Sequence, residues 1–309
     1  MIRPVKAEDY EKIAPLWNSV YENDKSTAEE LAYMDNAYEP PYLFKRFVFD
    51  QGDELVGMTS YEQYEGQYHP QKFAINVLVR ADKRAQGIGR ELYDFLLEQL
   101  KPFDPISFSA ALREDDEAAN HFAQTRGFVE TKRDWESVLD MATFDAAKHT
   151  KPLSDPDIRL TSYADWGVTP ERDELFYEFV SRVRLDIPTS EPFTDLSYEQ
   201  FRKFVIDAPD HFAEGVFFAL VADKPVGMTD FMRSESTSDL STGLTAVARE
   251  YRGKGLATAL KVKALEFAQT YGAKKVFTDN DTTNVEMLAI NEKLGFERLP
   301  AWISLQKTL

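Results

Sequence analysis

The sequence predicts an α/β fold built twice: two tandem domains, each a mixed, mostly antiparallel sheet flanked by helices on both faces. Three observations carry this. The chain of 309 residues is long enough for two cores of ordinary domain size. Landmarks recur in one order: Gly87 and Gly255 lie 168 residues apart, as do Gly127-Phe128 and Gly295-Phe296. "VGMT" recurs at Gly57 and Gly227, 170 apart, and Ile2-Arg3 recurs as Ile158-Arg159, 156 apart. Finally, each copy reads hairpin, strand, helix, strand, helix, strand, the order of a sheet covered on both faces.

Copy one opens with a helical pattern in "AEDYEKIAPLWNSVYEND". "RFVFDQGDELVGMTSYEQ" reads as a hairpin, because β-branched and aromatic residues flank a Gly-Asp turn. "KFAINVLV" is a strand. "GIGRELYDFLLEQL" is a helix with Ile88, Leu92, Phe95, Leu96 and Leu100 on one side. "PISFSAA" is a strand, "DDEAANHFAQTR" a helix ending at Gly127, and "FVETKRDWESVLDM" the closing strand. In copy two "VFFALVADKPVGMTDFM" is the hairpin and "LTAVA" the strand. "GLATALKVKALEFAQTYG" is a helix and "KKVFTDN" a strand. "TTNVEMLAINEKLG" is a helix capped by Thr282 or Thr283. "FERLPAWISLQK" closes the copy. "TFDAAKHTKPLSDPD" is polar, holds two prolines and has no period. The boundaries are therefore 1–145, a linker 146–157, and 158–309.

The formal charge of −17 argues against nucleic acid or an anionic membrane as partner and is compatible with a cationic small molecule. With no cysteine, disulfides, thiolate metal sites and a cysteine nucleophile are excluded. The four histidines are scattered without ligand spacing, so no metal is expected. The N-terminus has no apolar core, and no apolar run is long enough to span a bilayer. The expectation is a cytoplasmic protein, monomer or homodimer.

Against this acidity stand two basic, glycine-containing turns, each between a strand and a helix: "RAQGIGR" at Arg84–Arg90 and "RGKGLAT" at Arg252–Thr258. The first N–H groups of a helix lack internal partners and sit at the positive end of its dipole. Glycines let a bulky anion approach them, so each turn reads as a phosphate cradle. Arg249, Arg252, Lys254 and Lys261 add charge in copy two; Arg80, Lys83, Arg84 and Arg90 do so in copy one.

The pattern [RQ]-x-x-G-x-[GA] after a strand and before a helix resembles the acetyl-CoA signature of the GNAT superfamily of N-acetyltransferases. The helix with "NVEMLAINEKLGF", carrying Asn284, Met287 and Asn291 on one face, is similar to the superfamily's last helix; "ANHFAQTRGF" in copy one is a looser match. The resemblance covers most of both halves. It implies acetyl transfer from acetyl-CoA to a primary amine by direct attack in a ternary complex; the acidity of the chain makes a small cationic molecule the expected acceptor. It also implies cofactor contacts from Leu244, Thr245, Val247, Arg252, Gly253, Lys254, Gly255, Leu256, Ala257, Thr258, Asn284 and Asn291. In copy one the matching contacts are Val79, Arg84, Ala85, Gln86, Gly87, Ile88, Gly89 and Arg90. A backbone N–H near Val247 or Val79 would polarise the thioester carbonyl. The sequence departs from the pattern where many members carry a tyrosine acid: Asn291 and Ala123 stand there. It also lacks a glutamate base, with Thr242 and Ala74 in its place. Asp230, Glu235 and Asp239 in copy two, and Tyr61, Glu62 and Glu65 in copy one, are candidates to act through water. Copy two, with the fuller motif, is the expected catalytic copy. The alternatives are a non-catalytic CoA-binding or regulatory module, and acetylation of a protein amine.

Overall fold

The computed structural model describes the chain except Asp24, Ser154, Pro188, Ser190 and Glu191. In chain order its first elements are β1 (Ile2–Pro4), α1 (Tyr10–Asn18), α2 (Ala28–Ala37), β2 (Phe44–Gln51), β3 (Glu54–Glu62), β4 (Lys72–Val79), α3 (Ile88–Leu100), β5 (Ser107–Arg113), α4 (Glu117–Gln124) and β6 (Val129–Asp140). There follow β7 (Arg159–Ser162), α5 (Tyr163–Trp166), α6 (Pro170–Val183), α7 (Tyr198–Phe201), β8 (Val216–Val221), β9 (Lys224–Arg233) and β10 (Leu240–Val247). The last are α8 (Leu256–Tyr271), β11 (Lys275–Asp281), α9 (Val285–Leu294), β12 (Glu297–Arg298) and β13 (Trp302–Thr308).

Two compact units result. The first holds residues 1–133, 189–194 and 300–309; the second holds 134–188 and 195–299. In the first, β1 to β4 are antiparallel neighbours, β4 pairs β5 in parallel, and β13 adds antiparallel to β5. In the second, β7 to β10 are antiparallel, β10 pairs β11 in parallel, and residues 134–140 of β6 add antiparallel to β11. Each sheet is mixed and mostly antiparallel.

The two closing strands differ from the sequence reading. "FVETKRDWESVLDM" does not simply close copy one: its later part pairs with β11. "FERLPAWISLQK" splits at Pro300: β12 pairs β6 in the second unit, while β13 serves the first. Alternation fixes which face a strand buries, not which strand lies beside it. The boundary at 145/158 therefore does not coincide with the units. Copy two also forms structure that the sequence reading left unassigned, including the 14-residue α6, which Thr169 caps at the Arg172 N–H.

Burial follows the pleat. In the first unit Phe47 packs in the core that includes Tyr93, Leu96 and Leu100 of α3, whereas Val48, next in the strand, packs with Ile13, Leu16 and Leu31 of α1 and α2. In the second, Phe217 joins Leu260 and Leu265 of α8, and Phe218 joins Phe176 and Phe179 of α6. The repeated "VGMT" glycine has a packing reason. A Cβ at Gly57 would stand 2.9 Å from Leu92 Cδ1 and from the Leu78 carbonyl, and one at Gly227 would stand 3.0 Å from Leu260 Cδ1. The approach is close at both and tightest at Gly57, where a backbone carbonyl of β4 stands in the way.

Candidate functional site

In the second unit β10 stays paired with β9 to Val247, but pairs with β11 only at Leu240 and Ser241. Beyond Ser241 the two parallel strands part. The Ala248 N–H donates to the Val226 carbonyl at 2.9 Å, on the β9 side. Ladder alternation then turns the N–H groups of Val247 and Thr245 to the opposite edge, the one β11 has left. The first unit repeats this. The β4–β5 pairing ends at Ala74, and the Arg80 N–H donates to the Val56 carbonyl at 3.0 Å, so the N–H groups of Val79 and Val77 face the open edge.

The units differ inside the splay. The β9–β10 register shifts between Thr242 and Thr245, a bulge that sets Gly243 and Leu244 against Asp230. The Leu244 N–H donates to Asp230 Oδ1 at 2.5 Å, and a Cβ at Gly243 would lie 2.8 Å from that oxygen. Burial pushes the Asp230 carboxyl up to about 6, with the Leu244 N–H acting in the other direction. In the first unit β3 and β4 pair without a break, and Ser60 stands opposite Asn76. Asp239 lies elsewhere: its carboxylate accepts from the Lys275 N–H at the start of β11. Of Asp230 and Asp239, only Asp230 sits at the splay.

Each strand runs into a loop at the N-terminus of α8 or α3. Gly253 and Gly255 take φ of +72° and +78°; Ala85 and Gly87 take +61° and +87°. A Cβ at Gly87, Gly253 or Gly255 would meet nothing within 4 Å. These loops are open to a ligand, and the backbone is what they offer. Leu256 and Ile88 are buried and anchor the helices to the core. Ala257, Thr258 and Gly89 are half-buried, while Lys254, Arg90 and Gln86 are exposed. Lys254 lies over the Tyr251 ring, and Gln86 donates to the Asp82 carbonyl.

The signature arginines already have partners. Arg252 Nε donates to the Val247 carbonyl at 2.9 Å, and Arg84 Nε to the Val79 carbonyl at 3.3 Å, so each ties its loop to the last residue of its strand. Arg252 and Arg249 also pair with Asp186, and these two guanidiniums hold that carboxyl down at about 2. Arg84 pairs with Asp116, and Arg80 with Asp82 and Glu54. Lys261 departs from the sequence reading. It is 3% exposed, with Nζ 5.5 Å from the Phe296 ring centroid, so it points into the packed interior rather than towards the loop. Loss of hydration lowers its ammonium to about 8.

On α9 the cap is Asn284, whose Oδ1 accepts from the Met287 N–H at 3.3 Å, rather than Thr282 or Thr283. Asn291 is buried; its Nδ2 donates to Asn280 Oδ1 at 2.5 Å, while its own Oδ1 has no partner among the described residues. Asn280 of β11 was not anticipated, since only the pairing of strand with helix brings it to Asn291. Among the described residues no group of His, Asp or Glu could hold a metal ion, and no helix is long and apolar enough to cross a membrane.

The splay and the loop together suit a long ligand with an anionic end and an amide-bearing arm. Open backbone at two positive-φ positions would hold the anion, and outward N–H groups along β10 or β4 would pair with the arm.

A model of the acetyltransferase (GNAT) family matches the chain twice, at residues 10–128 and 176–296. N-alpha-acetyltransferase 30 of Schizosaccharomyces pombe is 26% identical over 134 residues, 42% of this chain and 83% of that protein. Among solved structures, a tandem GNAT protein from the clavulanic acid biosynthesis pathway superposes with a TM-score of 0.80 at 20% identity, over 100% of this chain and 98% of that one. A GCN5-related N-acetyltransferase from Sphaerobacter thermophilus gives 0.74 at 16% identity, over 100% and 95%.

Proposed function

The chain belongs to the acetyltransferase (GNAT) family, and we propose that it moves an acetyl group from acetyl-CoA to a primary amine, with the second unit carrying the transfer. The bulge that seats Asp230 at the splay is the observation that carries this assignment. Acetyl-CoA, when bound, supplies an activated acyl carbon. The loop Arg252–Ala257 and the first turn of α8 would hold its phosphates through backbone N–H groups, and the β10 edge from Leu244 to Val247 would pair with its arm. The outward N–H of Val247 or Thr245 would stabilise negative charge on the acyl oxygen, a contribution whose loss typically costs about 10²–10³ in rate. Asp230 would take a proton, through water, from the bound substrate ammonium, which leaves the free amine to attack the acyl carbon. A carboxyl near 6 is ionised at neutral pH yet basic enough for that task. Asn291 can donate a hydrogen bond but no proton, so solvent protonates the leaving thiolate.

A small cationic amine fits the acidity of the chain. The fission-yeast relative is by name an N-alpha-acetyltransferase, which favours the α-amine of a polypeptide as the second reading. Titration of acetyl-CoA by calorimetry into wild type, Gly255→Glu and Gly87→Glu tests the assignment. Both positions face open space, so each variant adds charge without a clash, at about 1 kcal/mol of backbone strain. Loss of binding in Gly255→Glu alone supports the second unit. Loss in Gly87→Glu alone moves the site to the first, and no binding by wild type sinks the reading.

A further inference from the structure

We infer that Asp186 is a latch on the phosphate loop of the second unit: its carboxylate occupies the guanidiniums of Arg249 and Arg252, and a phosphate group entering the loop displaces it and frees the turn that carries it. The inference rests on the reading that residues 252–257 receive the phosphates of acetyl-CoA. Asp186 ends the short turn Arg184–Asp186 that follows α6. Val183, the last residue of α6, is buried in the group that includes Ala248, and Tyr251 packs against that group. The end of α6 therefore lies against the start of the loop. Arg249 Nε donates to both Asp186 oxygens, at 3.0 and 3.1 Å, and Nη2 of Arg249 and of Arg252 donate to them as well. The Asp186 side chain is 15% exposed, whereas those of Arg249 and Arg252 are 77% and 45% exposed. The acid is covered and the bases face solvent, where a larger anion can reach them. With its carboxyl held at about 2, Asp186 stays ionised at neutral pH, so a competing anion and not a proton opens the contact. A pyrophosphate carries more charge than one carboxylate and offers more acceptor oxygens to the planar guanidinium fork. The exchange keeps both arginines paired while Asp186 regains its hydration.

The first unit shows that this wiring is not a requirement of the loop. There Arg84 takes the place of Arg252, and its Nε likewise bonds the last carbonyl of its strand. Its carboxylate is Asp116, the cap of α4, a helix that packs on the same face of the sheet as α3. The residue 168 positions on is Asn284, the cap of α9, which has no charge to offer. The second unit instead draws its carboxylate from the end of α6, on the face of the sheet opposite α8. An anion entering this loop therefore acts on the turn after α6, on the far face of the sheet, where in the first unit it would act on α4.

The test is calorimetric titration of acetyl-CoA into the full chain carrying Gly87→Glu, which closes the first loop, and into the same chain with Asp186→Asn or Glu250→Gln added. Glu250 lies between the two arginines in sequence and pairs with Arg182 at 4.0 Å, so its variant removes an equal charge and leaves the Asp186 contacts in place. We expect Asp186→Asn to bind about tenfold more tightly, since no charge-assisted contact is then given up. Glu250→Gln should change binding less than about threefold. Hydrogen exchange gives a second reading that needs no variant at 186. The Ile187 N–H donates to the Arg184 carbonyl at 3.0 Å, and acetyl-CoA should speed its exchange. Equal or weaker binding by Asp186→Asn, an equal gain in Glu250→Gln, or Ile187 exchange that acetyl-CoA slows or leaves unchanged would each overturn the latch and leave the phosphate loop standing. If neither the Gly87→Glu chain nor its Asp186→Asn form binds acetyl-CoA, the latch and the phosphate loop fall together.

Discussion

Replacing Asp230 by asparagine isolates the energetic cost of the carboxylate in the bulge. Asn keeps an oxygen for the Leu244 N–H and removes only the ionisable proton. The native carboxyl stands at about 6 against an ordinary 3.8. The folded protein therefore holds this proton more tightly than the unfolded chain, and stability falls as pH rises from about 4 to about 6. At about 1.4 kcal/mol per pH unit, the ionised group costs roughly 2–3 kcal/mol above that window. We expect Asp230→Asn and wild type to be equally stable at pH 4, and the variant to be more stable by roughly 2–3 kcal/mol at pH 7.5. Urea denaturation at the two pH values measures this. The same variant should lose acetyl transfer while still binding acetyl-CoA, and wild-type activity should rise as pH passes upward through about 6. A stability gap independent of pH would refute the burial argument. Unchanged turnover would refute the role as base.

Lys261→Met should stabilise the protein by roughly 2–3 kcal/mol at pH 7, because an ammonium lowered from 10.5 to about 8 is charged there at a cost. The folded state binds the proton less tightly, so wild-type stability rises with pH between about 8 and 10.5 and the gap should close over that window; denaturation at pH 7 and pH 10 reads it, and a destabilised variant at pH 7 would mean the ammonium has a partner. Gly57→Ala should cost about 2–3 kcal/mol and Gly227→Ala about 1, because the first Cβ would meet a carbonyl oxygen at 2.9 Å and the second a Leu side chain at 3.0 Å; thermal unfolding that ranks them the other way would contradict the packing.

The repeated glycines were legible because each answers a local need: positive φ at Gly87 and Gly255, close approach at Gly57 and Gly227. Strand and helix order was legible from hydrophobic period. The partner of a strand was not, because β13 and residues 134–140 present alternation that would suit either sheet. The basic turns showed where charge collects but not how it is spent. Asp186 is 66 residues from Arg252, and nothing local marks it as the carboxylate that meets both arginines. Lys261 was misjudged for a similar reason. It follows the loop in sequence, but the turn of the helix carries it into the interior against Phe296.

The two units use one topology to place a carboxylate at different depths, and the backbone explains why neither arrangement can be converted to the other by a single change. In the second unit the bulge and Asp230 are one device. The extra residue frees the Leu244 N–H, the carboxylate satisfies it, and only glycine at 243 leaves room for both. A serine at 230 would leave that N–H without its acceptor, and an alanine at 243 would expel the carboxylate. In the first unit Ser60 faces Asn76 in unbroken register, so no N–H is freed and no acid is needed there. Its carboxylate lies two residues on, at Glu62, on the same face of the strand. Glu62 stands opposite Ala74, the last residue of β4 that β5 still pairs. That places it at the mouth of the splay, set back from the outward N–H of Val79. Asp230 stands inside the splay, beside the strand whose N–H groups would face the acyl oxygen. The register of one strand pair thus separates a carboxylate inside the splay from one at its mouth.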